Sequence, residues 1–385
     1  MAKVTPSGRN NLTFPQDLEP RDLETQGDLL RVVALGGGTG LSCLLQGLKH
    51  FTLPRHDPRI RGPFVDLCAI VTVSDDGGSS GRLRRAFDIL APGDIRNCMV
   101  ALAEDEALLS KLFQFRFDSG KGLEGHSFGN LFLTALTEVT GDFHQAIQLS
   151  SEVLAIRGRI FPSTLAEVRL EARLESGRLV KGETRISRAN ARIAGVKLSP
   201  RRCAPVPEAL AALAEADLIT LGPGSLYTSV IPNLLVDGIP KALAESEAPK
   251  AWISNLMWQP GETEGYSASD HIRAIHEHAG LSLIDTVVLN RRRFPANMKK
   301  RYLEQNARPV EQDDELAELG IDVITEDLLA SGTVARHDLG RLARVLVGLA
   351  RRGRIRRTQE ERKVRVGARG ESAPGARTFR AGRAG

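Results

Sequence analysis

The sequence predicts an α/β fold with a Rossmann-like, doubly wound parallel sheet and a small antiparallel β insertion. Three observations support this prediction. Short apolar runs alternate with amphipathic segments, glycine clusters follow several of these runs, and a strict alternation of apolar and polar residues is confined to residues 164–198. Strands that alternate with helices are typical of parallel sheets covered on both faces, whereas a period of two indicates antiparallel strands that face solvent on one side.

The first half of the body begins with an apolar strand that runs from Val32 into a glycine cluster at 36–40. An amphipathic segment follows and predicts a helix over 41–50. A second apolar run predicts a strand over 64–73, and helical periodicity dominates residues 94–155. The pattern is therefore strand, glycine turn, helix and strand, which is typical of the start of a parallel sheet.

The second half contains the antiparallel insertion and then returns to the parallel pattern. Residues 164–198 form the insertion, with a turn at Ser176-Gly177. Further strands are predicted over 218–221, 251–256 and 284–289, and further helices over 267–278, 295–306 and 338–350. We interpret residues 30–350 as one domain, with a flexible leader over 1–29 and a basic, disordered tail over 351–385.

The distribution of charge argues against a dedicated nucleic-acid-binding protein. The 385 residues carry a formal net charge of +5, and the pI is about 9.1. Residues 351–385 contain twelve Lys or Arg and three Glu, so they carry a net +9 and leave about −4 for the rest of the chain. An arginine-rich segment with a single aromatic residue predicts a solvated tail without specific nucleic-acid contacts.

Composition also bears on location. Hydrophobic residues make up 42% and charged residues 26%, which are ordinary values for a soluble protein. No apolar run approaches the roughly 18 residues that a membrane span requires, and the N-terminal segment lacks the pattern of a signal peptide. The four cysteines share no metal-ligand or redox spacing. These features predict a cytoplasmic protein with reduced, buried cysteines.

The glycine cluster after the first strand is the strongest candidate for binding a ligand. Glycine lets backbone N–H groups approach an anion closely, and the N-terminus of the following helix favours negative charge. The spacing matches neither the dinucleotide fingerprint nor the P-loop. A tight strand-to-helix corner is the alternative, but a corner does not require four glycines in five residues. The candidate phosphate-binding residues are Gly36, Gly37, Gly38, Thr39, Gly40 and Ser42.

An acidic, glycine-rich loop is predicted after the second strand, at the same edge of the sheet. Paired carboxylates at a strand end can bind ribose or sugar hydroxyls, or hold Mg²⁺ beside a diphosphate. The glycine–serine run supplies flexible N–H and hydroxyl donors, and Arg82, Arg84 and Arg85 supply positive charge. A plain surface loop is the alternative. The candidate residues are Asp75, Asp76, Gly77, Gly78, Ser79, Ser80 and Arg82.

Three further segments are expected at this edge. Their candidate residues are Asp94 and Asn97, His126 and Asn130, and Gly222, Gly224 and Ser225. Asp94 can equally be only a helix N-cap, and a catalytic histidine normally has an orienting carboxylate, which the sequence does not place. The Gly-Pro-Gly turn is predicted to be a second anion-binding turn. Two such turns in opposite halves of one sheet would suit a diphosphate that joins two moieties.

Six motifs together resemble the YvcK-like gluconeogenesis factor family, which is related to the 2-phospho-L-lactate transferases of coenzyme F420 synthesis. In order, the motifs are GGGTGLS, VSDDGGSSGRLR, PGDIRN, GHSFGNL, LGPGSLYTSVIPNLL and QPGETEGYSASDH, and they cover about residues 31–340. The resemblance implies a Rossmann-like cytoplasmic protein that binds UDP-sugars, such as UDP-N-acetylglucosamine or UDP-glucose. It also implies a role in cell shape and in cell-wall precursor metabolism during gluconeogenic growth.

The resemblance implies roles for particular residues as well. In the transferase branch aspartates surround Mg²⁺, and the matching positions here are Asp76 and Asp94, with Asp75 beside the first. Arg336-His337 matches an arginine–histidine pair that contacts ligand in the family. Trp258 departs from the family pattern, because relatives usually have a small polar residue there.

Two functions therefore remain open. The first is a regulatory nucleotide-sugar binder with little or no turnover. The second is a Mg²⁺-dependent enzyme that resembles 2-phospho-L-lactate transferase and acts on a nucleotide-activated donor. The mismatch with the dinucleotide-binding glycine spacing argues against an NAD-dependent oxidoreductase. Mg²⁺ is the only candidate cofactor. The protein is a candidate homo-oligomer.

Overall fold

The computed structural model describes residues 29–52, 64–104 and 107–370. In this part of the chain, seven parallel strands form a central sheet and three antiparallel strands form a second, smaller sheet. In chain order the strands are β1 (Leu29–Gly36), β2 (Phe64–Val71), β3 (Arg159–Pro162), β4 (Arg169–Leu174), β5 (Leu179–Lys181), β6 (Ile193–Ser199), β7 (Leu218–Leu221), β8 (Lys250–Ile253), β9 (Thr286–Asn290) and β10 (Asp322–Glu326).

Helices connect the strands and cover the central sheet. In chain order the helices are α1 (Gly38–Leu48), α2 (Gly78–Phe87), α3 (Gly93–Leu102), α4 (Ala107–Gln114), α5 (Phe128–Thr140), α6 (Phe143–Val153), α7 (Glu183–Arg188), α8 (Pro207–Glu215), α9 (Ile231–Leu234), α10 (Ile239–Glu245), α11 (Ala268–Ala279), α12 (Ala296–Leu303), α13 (Glu315–Glu318) and α14 (Leu339–Gly370).

The order of the strands places a ligand-binding edge at the centre of the large sheet. The order is β10-β9-β8-β7-β1-β2-β3, with every neighbouring pair parallel. The chain winds outward in both directions from the pair β1 and β7, so the switch point lies between these two strands. Ligands of doubly wound sheets bind beyond the carboxyl ends of the strands at this point. The two glycine turns of the sequence directly follow β1 and β7.

The predicted fold class is confirmed, and the apolar runs mark most of the parallel strands. Strand β7 occupies the predicted residues 218–221, and β1 and β2 are almost wholly buried, as the continuous apolar runs indicate. The sequence did not predict β3, β10 or the helices α8 to α10. Strand β3 has only four residues and ends at Pro162, so no period was long enough to identify it.

The acidic loop is shorter than predicted, because helix α2 begins at Gly78. The expectation of a flexible glycine–serine run is therefore wrong. Gly81 explains the glycine content: a Cβ on this residue would lie 1.8 Å from the carbonyl oxygen of Asp76, so the turn into the helix requires glycine. Ser79 and Ser80 are buried on the helix.

The boundary of the basic tail is wrong as well. Helix α14 does not end at 350 but continues to Gly370, so residues 351–370 are helical. This extension is attached to the sheet: Arg357 Nη2 lies 2.9 Å from Oδ1 of the fully buried Asp217, and a Cβ on Gly353 would overlap the Asp217 carbonyl. A buried carboxylate needs such a partner. The remainder of the predicted tail, 371–385, lies outside the described residues.

At the other end of the chain, β1 already includes Leu29, and the rest of the predicted leader lies outside the described residues. The insertion is antiparallel, as predicted. Its strand order is β5-β4-β6, and it also contains the short helix α7. Within the residues that the structure describes, no helix is long and apolar enough to span a membrane.

Candidate functional site

The two glycine turns at the switch point touch one another. A Cβ placed on Gly40 would lie 2.2 Å from the carbonyl oxygen of Pro223, and one placed on Gly224 would lie 3.6 Å from the carbonyl oxygen of Gly37. Such distances mean that the two backbones are in direct van der Waals contact, with no room for a side chain at Gly40. The turns that follow β1 and β7 therefore form one surface.

The first turn leaves backbone amides free for a ligand. The amides of Thr39 and Gly40 have no hydrogen-bond acceptor among the described residues, as expected for the first turn of a helix. The Gly38 amide instead donates to the carboxylate of Asp94. The Ser42 hydroxyl donates to the Thr39 carbonyl at 3.0 Å, so it supports the turn from behind. An anion at this helix N-terminus would meet Thr39 and Gly40 first.

The second turn is held by side chains that the sequence reasoning missed. Asn255 accepts from the Gly224 amide at 3.1 Å and donates to the Gly224 carbonyl at 2.8 Å. The Ser225 hydroxyl donates to the buried carboxylate of Glu262. The Gly222 amide donates to Leu35 in the sheet. The Gly224 amide and the Ser225 hydroxyl are thus occupied within the protein, and the second turn contributes mainly its shape.

A cleft of about 660 Å³ opens in front of the two turns. This volume is in the range that small-molecule sites occupy. Trp258 lines the cleft, and its indole N–H is buried without an acceptor among the described residues. Tyr302 and the exposed Arg336 line the same cleft. An aromatic face, an unpaired donor and a cation beside a helix N-terminus are the groups that recognise a nucleotide.

His337 lies beside Arg336 but serves the structure of the cleft wall. Its Nε2 lies 3.1 Å from the Ser254 carbonyl oxygen, to which it can donate. Burial lowers the pKa of His337 to about 4, so the imidazole is neutral at pH 7. A neutral, hydrogen-bonded histidine fixes the position of the segment that carries Arg336.

A second, smaller cavity of about 220 Å³ lies on the other side of the first glycine turn. Of the predicted site residues, those that line it are Asp75, Gly77, Gly78, Ser79, Ser80, Asp94, Asn97 and Asn130. The carboxylate of Asp94 joins the two cavities, because it accepts from the Gly38 amide and its Oδ2 would lie 2.7 Å from a Cβ on Gly37. Asp94 is therefore not the N-cap of α3; that position belongs to Pro92.

The carboxylates around this cavity crowd one another. Burial, together with the charge of Asp75, raises the pKa of Asp94 to about 6, although the Gly38 amide and Arg96 oppose this rise. Burial also raises the pKa of Asp75. Glu183, in α7 of the insertion, was not foreseen; its pKa is raised well above the usual value by burial and then by Asp75 and Asp94. Arg96 and Arg116 also line the cavity, and the charge of Arg96 offsets part of this crowding at Asp94.

Of the two predicted metal ligands, Asp94 lines the small cavity and Asp76 does not. Asp76 Oδ1 accepts from the Thr184 amide at 2.9 Å, and its Oδ2 lies against Gly182, so Asp76 faces the insertion. Asp75 takes its place beside Asp94, because Asp75 Oδ1 accepts from the Gly77 amide at 2.8 Å and thereby turns toward the cavity. Among the described residues, no three His, Cys, Asp or Glu side chains converge on one metal position.

Of the other predicted residues, His126 and Asn130 contact the serines that line the small cavity, whereas Arg82 does not line it. His126 Nδ1 lies 3.0 Å from the Ser79 hydroxyl, and burial lowers the pKa of His126. Asn130 donates to the Ser80 hydroxyl at 3.4 Å, while its Oδ1 is buried without a partner among the described residues. Arg82 donates to the Glu124 carbonyl and lines a separate hollow. His126 therefore has a serine beside it and not the carboxylate that a catalytic histidine normally has.

Comparison with known proteins identifies the family of the chain. The family described as 2-phospho-L-lactate transferase CofD matches residues 32–329. The gluconeogenesis factor of Bacillus subtilis strain 168 is 46% identical over 321 residues, which are 83% of this chain and 98% of that protein. The gluconeogenesis factor of Halalkalibacterium halodurans is 45% identical over 318 residues, 82% of this chain and 95% of that protein.

A crystal structure of a protein from Bacillus halodurans shares the fold. It superimposes with a TM-score of 0.78 at 44% identity, and the match covers 83% of this chain and all of that chain. The family match over residues 32–329 includes both glycine turns and the acidic loop. The chain therefore belongs to the CofD family and, within it, to the gluconeogenesis factors.

Proposed function

We propose that this protein is a cytoplasmic regulatory factor that binds a UDP-sugar of the UDP-N-acetylglucosamine type, which includes UDP-glucose. In this proposal it links the supply of sugar nucleotides to cell shape and cell-wall precursor metabolism during growth on gluconeogenic carbon. The observation that carries the proposal is the direct contact between the two glycine turns at the switch point. The turns form a single surface that ends in the free amides of helix α1.

The charges and shapes around that surface fit the parts of a nucleotide sugar. The diphosphate would accept from the Thr39 and Gly40 amides, and the exposed Arg336 would neutralise it. Trp258 offers a ring face and an unpaired N–H to the base or sugar. A micromolar Kd corresponds to about −8 kcal/mol, which a few charge-assisted hydrogen bonds together with base stacking can supply.

Magnesium would be held differently from the family expectation. Mg²⁺ is usually bound through one or two carboxylates together with substrate phosphates. Asp75 and Asp94 fit this pattern, since both line the small cavity and Asp94 reaches the glycine turn. When bound there, Mg²⁺ would neutralise the diphosphate. Asp94 would also hold the turn through the Gly38 amide.

Calorimetric titration with UDP-N-acetylglucosamine, with and without Mg²⁺, tests the proposal. We expect saturable binding by the wild type and a roughly tenfold weaker Kd for Arg336→Gln, the loss of one charge-assisted hydrogen bond. Arg344→Gln is the matched control, because Arg344 is also exposed but does not line the cleft. No heat with UDP-N-acetylglucosamine, with or without Mg²⁺, or equal losses in both variants, would count against the proposal.

The family match also favours a second candidate, a transferase that acts on a nucleotide-activated phospholactyl donor. Asp75 and Asp94, which line the small cavity beside the glycine turn, could hold the Mg²⁺ that such chemistry requires. Release of GMP from a guanylylated donor in the presence of Mg²⁺, lost in Asp94→Asn, would support the enzyme. Binding of the UDP-sugar without any product would support the regulatory factor.

A further inference from the structure

A third cavity, of about 550 Å³, lies between helix α2 and the antiparallel insertion. The residues at the start of α2 separate it from the small cavity beside Asp94, because Gly77 and Gly78 line both cavities. Six cationic side chains line it: Arg84, Arg85, Arg169, Lys181, Arg185 and Arg188. The carboxylates that line it are those of Asp76 and Glu171. We call this cavity the basic cleft.

The two carboxylates of the basic cleft are already engaged. Glu171 lies 2.7 Å from Lys181 Nζ and 3.3 Å from Lys197 Nζ, and these lysines lower the pKa of Glu171. Asp76 accepts from the Thr184 amide. Among the described residues, Arg85, Arg185 and Arg188 have no ion pair within 4.0 Å. The cationic side chains of the basic cleft outnumber the carboxylates that line it by six to two, although Glu167, Asp76 and Asp75 partly offset the charge of Arg84.

Arg84 is the observation that points to a ligand. Its side chain is only 6% exposed, and it donates from Nη2 to the Val168 carbonyl at 2.5 Å. Its Nη1 is buried and has no partner among the described residues. A buried guanidinium donor without an acceptor is costly, and an anion in the cleft would remove that cost.

We propose that the basic cleft binds a small ligand that carries at least two phosphate groups. Guanidinium groups match phosphate oxygens in pairs, and four of the five arginines lie on two helices that face each other across the cleft. The volume suits a small molecule, whereas a nucleic acid would require an extended basic track. The residues that line the basic cleft do not include those of the two glycine turns.

The two sites also share a structural element. Asp76 and Gly77 line the basic cleft, while Asp75 of the same loop lines the small cavity. A phosphorylated ligand between α2 and the insertion would hold α7, which carries Glu183, against that loop. The ligand would thereby fix the position of Glu183 beside Asp75 and Asp94.

Titration with inorganic pyrophosphate tests the proposal when excess UDP-N-acetylglucosamine is present to occupy the proposed site at the glycine turns. We expect the wild type to bind it, and Arg185→Gln/Arg188→Gln to bind it roughly a hundredfold more weakly, as expected for two lost charge-assisted hydrogen bonds. The matched control is Arg173→Gln/Arg192→Gln, which removes the same charge from exposed positions of the insertion outside the cleft. Both double variants change exposed side chains, so both are expected to fold.

Each other outcome overturns the proposal. These outcomes are no pyrophosphate binding by the wild type, an equal loss in the control, and tighter binding of a short RNA than of pyrophosphate. Titration with ADP distinguishes a nucleoside diphosphate from inorganic pyrophosphate as the source of the phosphates. UDP-N-acetylglucosamine binding should be unchanged in Arg185→Gln/Arg188→Gln, so failure of the UDP-sugar proposal leaves this comparison intact.

Discussion

Replacing Gly40 with alanine will weaken UDP-sugar binding by at least about a hundredfold while the protein remains folded. The new Cβ would lie 2.2 Å from the Pro223 carbonyl oxygen, whereas real Cβ contacts essentially never fall below 3.0 Å. Backbone cannot rotate away as a side chain can, so the two turns must move apart. This movement displaces the Thr39 and Gly40 amides from the position of the diphosphate, and a loss of two charge-assisted hydrogen bonds corresponds to about 3 kcal/mol or more.

The variant separates a binding defect from unfolding. Overpacking typically costs about 1–3 kcal/mol, less than the roughly 5–15 kcal/mol by which domains are stable. Urea denaturation should therefore show a folded protein, and calorimetry should show the lost affinity. Gly340→Ala is the control, because a Cβ there makes only ordinary contacts, the nearest at 3.6 Å from Asp338 Oδ1. Wild-type affinity in Gly40→Ala would exclude the contact between the turns as the basis of binding.

Replacing Asp94 with asparagine will make the protein more stable at neutral and higher pH. The pKa of Asp94 is raised from 3.8 to about 6, so the native state favours the protonated carboxyl. Stability from this group is fully present below pH 3.8 and is lost as the pH rises through about 6. A shift of about two units corresponds to roughly 3 kcal/mol. Asparagine keeps an acceptor for the Gly38 amide and carries no charge.

Urea denaturation between pH 4 and pH 8, in the presence of EDTA, measures this effect. We expect the free energy of unfolding of the wild type to fall relative to that of Asp94→Asn as the pH rises, because only the wild type gains a buried charge at position 94. Asp75 and Glu183 are present in both proteins and do not contribute to this difference. Asp322→Asn is the matched control, since Asp322 is exposed at the start of β10 and its replacement should leave the profile unchanged. A variant that is less stable than the wild type at pH 8 would contradict the crowding of charges around Asp94.

The sequence predicts the frame of the fold and the first glycine turn well, for a physical reason. Strands buried on both faces must be continuously apolar, so β1, β2 and β7 are visible as runs of apolar residues. Strand β10 was missed because its burial is incomplete and its sequence, DVITE, is half polar. Helix α2 was missed because glycine and serine in its first turn have low helix propensity, which tertiary packing overrides.

The candidate site is less predictable, because it depends on which side chains fold back onto the backbone. The sequence places Asp75 and Asp76 together, but only the insertion decides that Asp76 faces Thr184 and that Asp75 faces the cavity. Asn255 and Glu262 are not among the predicted site residues, and they occupy donors of the second turn. A residue 31 positions away along the chain gives no local signal of such a contact.

The most direct test of the account is a crystal structure of the protein grown with UDP-N-acetylglucosamine. We predict that the pyrophosphate lies within about 2.7–3.2 Å of the Thr39 and Gly40 amides, with the base and sugar in the cleft beside Trp258. A pyrophosphate bound in the basic cleft, with no ligand density at the two glycine turns, would contradict the account.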